Sequence, residues 1–365
     1  MNQFSAVTGC DYSGFLRQFS VSSRLKVFAY VLMITSFGNS QEPTHPAFKP
    51  VPELGYKIIP DFFELPTNRN FGEAAAVAVN SKGHIFLFQR SEPMLCEYSA
   101  DGHFIRSLGQ GLFVIPHGLR IDARDNLWTT DVGSHMVLKL SPEGHVLLVL
   151  GHKGQGAEGD WVFNRPADTA IDADGNIYVA DGYGNSRIVK FDPTGKYLMS
   201  WGRYGTGPGE FRLPHAIVID SKKRVYVADR ENARIQIFDE GGKFLSEWDN
   251  IGYPYGLVMM RNGHLLIADG GYDRLVEVDT NGEILGAIGE PGHAPGQFAW
   301  PHSLAVGADR KVYVADTLNW RFQAFMPVTR SDKLSDYLPN VRMFNVTRPS
   351  TGWVPQHTSP NSNQP

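Results

Sequence analysis

Cysteine is almost absent: the 365 residues carry two, Cys10 and Cys96. That excludes a disulfide framework and any zinc site built from several thiolates. An excess of one charge is also missing. Lysine plus arginine (34) nearly balance aspartate plus glutamate (38), for a net charge of −4. No polyanion-binding surface follows from that balance, and no nucleic-acid partner is expected. Long apolar runs are missing too. The main one, residues 27–37, spans eleven residues, too few for an ordinary membrane-crossing helix.

That run nevertheless has a telling context. Arg24 and Lys26 precede it, and Gly38-Asn39-Ser40 follows. A basic start, an apolar centre and small residues at the end describe a secretory signal over 1–40, cleaved after Ser40. The alternative is an uncleaved signal anchor, the one membrane attachment the sequence implies. The chain is therefore expected to be secreted or periplasmic, retaining only Cys96.

Glycine (38), proline (23) and aromatic residues (12%) are plentiful, which suits short strands joined by tight turns. From about residue 70 the sequence repeats. An apolar strand turns through Asp, Gly, Asn or Lys into a second strand ending on aspartate, as in Asp172-Ala173-Asp174-Gly175-Asn176 leading to Val179-Ala180-Asp181. Taking Arg90 as the first anchor, with Asp131, Asp181, Asp229, Asp269 and Asp316, the intervals are 41, 50, 48, 40 and 47 residues. Such periods, with apolar alternation between turn signals, read as four-stranded blades. The expected fold is all-β, a six-bladed β-propeller over 41–327. A ring leaves no open sheet edge only when a terminal strand completes it; residues 56–59 and 62–65 are both candidates. Residues 328–365 read as a polar, flexible tail.

Fourteen residues before the six anchors stand Ala76, His117, Ala167, His215, Tyr255 and His302. In a six-bladed ring alternate blades are about 120° apart, so three histidines on blades 2, 4 and 6 converge on the channel. Three imidazoles with outer positions open describe a catalytic zinc site, although iron, cobalt or manganese also accept three nitrogens. A Pro-His pair can serve merely as a turn before the innermost strand, since the position also admits Ala and Tyr. Placement on all three even blades and on no odd one favours the metal. Tyr183, Arg230 and Arg90 sit at or just after anchors and are expected at the same end of the channel. Arginine holds carboxylates in a bidentate fork; a tyrosine beside cationic groups can act as a base. Arg187 and Arg234 are read as starting third strands only.

With these residues in place, the chain resembles the peptidyl-α-hydroxyglycine α-amidating lyases, which are built on NHL-type propeller repeats. The likeness rests on Pro116-His117-Gly118-Leu119 with Leu127 to His135, on Tyr178-Val179-Ala180-Asp181-Gly182-Tyr183-Gly184-Asn185-Ser186-Arg187, and on Val227-Ala228-Asp229-Arg230-Glu231-Asn232. It implies zinc on His117, His215 and His302, Tyr183 as base, and Arg90 and Arg230 lining the substrate pocket. It implies a reaction splitting a peptidyl-α-hydroxyglycine into amide and glyoxylate, on a small peptide or acyl substrate supplied by a separate hydroxylating monooxygenase. A structural calcium is implied as well, with Val77 and Leu119 matching its backbone carbonyl donors. Ser303 stands where that site's aspartate is expected, which weakens it.

Two other functions compete. A non-catalytic NHL scaffold could bind peptide or glycan on its loop face. A metal-dependent hydrolase or lactonase could use the propeller, but such sites use Glu, Asp and Asn as calcium ligands, and histidines occupy the register here.

Overall fold

The computed structural model describes residues 51–65 and 70–328. The signal expected at 1–40, and all of the expected tail except Val328, lie outside the described residues. Among those described, no helix is long and apolar enough to cross a membrane.

The chain forms six four-stranded antiparallel sheets, with two short 3-10 turns as the helical content among the described residues. Each blade's innermost strand is its first: Ala74–Val79, Pro116–Ile121, Asp168–Ile171, Pro214–Ile219, Pro254–Met259 and Pro301–Val306. These six contact one another in sequence around a ring, and the last contacts the first. Blade 6 takes its outer strand from the start of the propeller. Tyr56–Ile59 pairs antiparallel with Arg321–Pro327, in a register that sets Ile58 against Phe325. Of the two candidate segments, 56–59 closes the ring. Phe62 and Phe63 wedge instead between blades 6 and 1, where Phe63 packs edge-on against Tyr98 and Phe322.

Blades bury both faces, which explains why their second strands read as continuous apolar runs instead of alternating. All five residues of Ile177–Asp181 are buried, as are those of Val225–Asp229. Six apolar clusters fill the six gaps between neighbouring blades, for example Tyr178, Ile188, Ile217 and Val227 between blades 3 and 4. Tight turns join the strands. Asp172 Oδ1 accepts the N–H groups of Asp174 and Asn176 at 2.9 and 2.8 Å, and Gly175 supplies the positive φ of 87°, a conformation costly for other residues.

The anchor aspartates are structural. Each accepts a backbone N–H from the segment entering its own blade: Asp131 from Val114, Asp181 from Asn164, Asp229 from Arg212, Asp269 from Tyr253 and Asp316 from Ala299. Arg187 and Arg234 pair with Asp181 and Asp229 at 3.0 and 2.8 Å, and so begin third strands as read.

Blade 1 corrects the sequence register by one residue. Gln89, not Arg90, holds the anchor position: its Oε1 accepts the Gly72 N–H at 2.9 Å, and it pairs with Ala74 as Asp131 pairs with Pro116. The residue equivalent to the histidines in blade 1 is therefore Ala75, and Arg90 stands one place past its anchor, as Arg230 does in blade 4.

Candidate metal centre

Each histidine follows a proline opposite an anchor, at a break in strand register. In blade 4, Pro214 faces Asp229 and Ala216 faces Ala228, leaving His215 as an extra residue; His302 is extra in the same way. In blade 2 the register shifts between Pro116 and Leu119, across His117. Such bulges bend the strand and re-aim a side chain, here into the channel.

The three rings meet there. Their centroids are 4.8 Å (His117–His215), 4.6 Å (His117–His302) and 4.8 Å (His215–His302) apart, a nearly equilateral triangle. One ring nitrogen from each lies within 4.8 Å of the others. All three are buried.

What orients them is a carbonyl on the next blade. His117 Nδ1 donates to Ala167 O at 2.7 Å, His215 Nδ1 to Tyr255 O at 2.6 Å, and His302 Nδ1 to Ala75 O at 2.7 Å. Ala167, Tyr255 and Ala75 occupy in odd blades the place the histidines occupy in even ones. A carbonyl can only accept, so Nδ1 carries the proton and Nε2 the lone pair on every ring. Thr130 Oγ1 also donates to Ala167 O, at 2.7 Å. A Cβ at Gly118 would lie 2.6 Å from that oxygen, so the glycine after His117 permits the approach.

The electrostatics keep the rings neutral. Burial, then His302 and Arg90, holds His117 well below the ordinary imidazole range; burial, then Arg230 and the other two histidines, does the same for His215. Burial and then Arg90 bring His302 down to about 3. A neutral imidazole is the form that ligates a metal. His302 Nε2 is buried without a hydrogen-bond partner, an unusual condition in a folded protein. Tautomer locks, neutrality and this orphaned lone pair together fit a metal held by three nitrogens.

Tyr183 reaches the same point. Its hydroxyl is 3.0 Å from His117 Nε2 and 3.1 Å from His215 Nε2, and Arg230 Nη1 donates to it at 3.3 Å. Arg230 is buried between the rings of Tyr183 and Tyr255, 5.5 and 4.6 Å from their centroids, and its other edge is held by Glu231. Arg90 comes from the opposite side of the ring, donating to Glu73 at 2.8 Å and to Pro116 O at 3.2 Å. The structure thus brings His117, His215, His302, Tyr183 and Arg230 into contact, with Arg90 close enough to bias the histidines. Sequence reasoning passed over Tyr255 as a site residue, although it stood in the same fourteen-residue register.

Comparisons with known proteins bear on the fold and the family. A family model described as a 6-bladed beta-propeller matches residues 168–250. The chain is 34% identical over 313 residues to peptidyl-glycine alpha-amidating monooxygenase B of Xenopus laevis, covering 73% of this chain and 35% of that protein. It is 37% identical over 194 residues to a probable peptidyl-alpha-hydroxyglycine alpha-amidating lyase of Caenorhabditis elegans, covering 46% of this chain and 55% of that protein. The chain is a homologue of the α-amidating lyases. It spans about a third to about half the length of these curated relatives. Among solved structures, a streptogramin B lyase matches with a TM-score of 0.56 at 15% identity, over 75% of this chain and 98% of that one, a likeness of fold alone.

The donors expected for calcium do not suit it. Val77 and Leu119 occupy equivalent inner-strand positions, but the Ser303 hydroxyl beside them brings no charge and accepts the Val77 N–H at 3.5 Å. Calcium needs several oxygens, some of them anionic.

Proposed function

We propose that the chain is a zinc-dependent lyase that splits an N-acyl-α-hydroxyglycine, or a peptide ending in one, into the amide and glyoxylate. The observation that carries this reading is the convergence of three tautomer-locked Nε2 atoms, the Tyr183 hydroxyl and the Arg230 guanidinium on one point. Homology to lyases at 32–37% identity supports it. Zinc bound by His117, His215 and His302 would supply Lewis acidity to polarise the substrate's α-hydroxyl.

The chain's own groups do the rest. Arg230 and Arg90, approaching from opposite blades, hold the carboxylate that leaves with glyoxylate. Tyr183, with Arg230 donating to its oxygen, takes the hydroxyl proton as general base. The electron pair left on the substrate's hydroxyl oxygen forms the C=O bond of glyoxylate, the C–N bond breaks with its pair going to nitrogen, and the amide nitrogen receives the proton back from Tyr183. Atoms balance without an oxidant. The hydroxyl must be installed beforehand by a hydroxylating monooxygenase, which makes such an enzyme the natural partner.

The test is glyoxylate release from α-hydroxyhippurate by purified, zinc-supplemented protein. Zinc-loaded protein that releases none would remove the amidating reading. A propeller that retained no stoichiometric transition metal would point to a scaffold instead.

A further inference from the structure

Beneath the histidines the channel holds a side-chain cation of its own. The residues that follow the histidine position around the ring are Ala76, Gly118, Asp168, Ala216, Gly256 and Ser303, so the one carboxylate at that level is Asp168. It is buried and doubly engaged: Arg120 presents Nε (3.0 Å) and Nη2 to its two oxygens, and the Ile217 N–H donates to Oδ2 at 3.1 Å. Arg120 then reaches across the ring, donating Nη1 to Leu257 O at 2.9 Å. Leu257 occupies in blade 5 the position that Val77 and Leu119 occupy in blades 1 and 2. Arg120, Asp168, the three histidines and Ser303 line one cavity of about 20 Å³, room for little more than one water.

We propose that the Arg120 guanidinium is the built-in cation of this channel, and that the propeller neither binds nor needs calcium there. The planar fork matches a carboxylate with two parallel bonds and leaves a further N–H for a carbonyl. One guanidinium neutralises one carboxylate; adding a divalent ion would leave excess positive charge in a confined space. The arrangement also makes Arg120 a positioning residue for the metal centre. It lies three residues after His117, and Asp168 directly follows the Ala167 whose carbonyl orients His117. Ile217 lies two residues after His215, and Leu257 two after the Tyr255 whose carbonyl orients His215. The Arg120–Asp168 pair thus ties together the inner strands of blades 2 to 5 beneath the histidines.

The test uses the full chain with excess zinc throughout, so that calcium alone is varied. Elemental analysis should find no stoichiometric calcium, and the thermal midpoint should be the same with and without millimolar calcium. Arg120→Met, which strands Asp168, should melt lower by on the order of 10 °C, regain part of that loss in calcium, and bind zinc about tenfold more weakly. Arg120→Met with Asp168→Asn removes both charges and should melt above the single variant with no calcium response, which keeps the test decisive if the single variant does not fold. One calcium per wild-type chain, a calcium-dependent wild-type midpoint, a single variant indifferent to calcium, a single variant matching wild type in midpoint and zinc affinity, or a double variant no more stable than the single one would each overturn the proposal. Neither calcium content nor zinc affinity depends on catalysis, so failure here is distinct from failure of the lyase reaction.

Discussion

Acid should unfold the metal-free protein in a way that His302 sets. Burial and Arg90 place its folded value at about 3, against about 6.5 for an unfolded histidine. Between those limits the unfolded chain takes up a proton that the folded chain refuses. The neutral ring's contribution is therefore fully present above about pH 6.5 and is lost as pH falls toward 3, with a slope of about 1.4 kcal/mol per pH unit. At pH 5 the loss from His302 alone is about 2 kcal/mol. His117 and His215 shift in the same direction and add to it. For a domain of this size 1 kcal/mol moves the midpoint by about 2–4 °C, so His302 accounts for a drop of about 4–8 °C between pH 7 and pH 5. The assay is thermal denaturation of chelator-treated protein across pH 4–8, followed by circular dichroism, beside His302→Gln. The variant should lose about one proton's share of the slope. Equal slopes in variant and wild type, or a midpoint flat from pH 7 to 5, would refute the assignment of a neutral, buried triad.

Tyr183→Phe should keep the fold and bind zinc, yet lower kcat for glyoxylate release by about 10²–10⁴-fold, with KM little changed; a fall of less than tenfold would remove Tyr183 as the base. Arg230→Ala should raise KM for a substrate bearing a free carboxylate by about tenfold or more, while a substrate amidated at that position, compared in wild type and variant, should show little difference. Steady-state kinetics on the two substrates decide it.

Much of this architecture is legible in the sequence because every blade repeats the same structural solution. An anchor aspartate ties the segment before the innermost strand, so counting back from it finds the histidines. The count failed by one where the repeat changed its chemistry: Gln89 does with an amide what aspartate does elsewhere, and the cation after it was mistaken for the anchor. Ring closure had two apolar candidates because residues 56–59 and 62–65 both carry large apolar side chains, and only pairing across the ring tells them apart. The carbonyls that orient the histidines belong to Ala75, Ala167 and Tyr255, and backbone acceptors leave no mark on residue identity. Arg120 was invisible for another reason. It has no counterpart in the other blades, and its partners are 48 and 137 residues away.

The hydrogen bond from His302 to Ala75 spans 227 positions of sequence and crosses the seam that strand 56–59 seals. The site's geometry is thus a report on whether the circle is shut. A nascent chain lacking its sixth blade would have two histidines, a tyrosine and an arginine but no triangle. A chain whose first described strand has been peeled away would lose the third corner of that triangle as the seam loosens. The triangle of imidazoles is thus completed only where blade 6 meets blade 1.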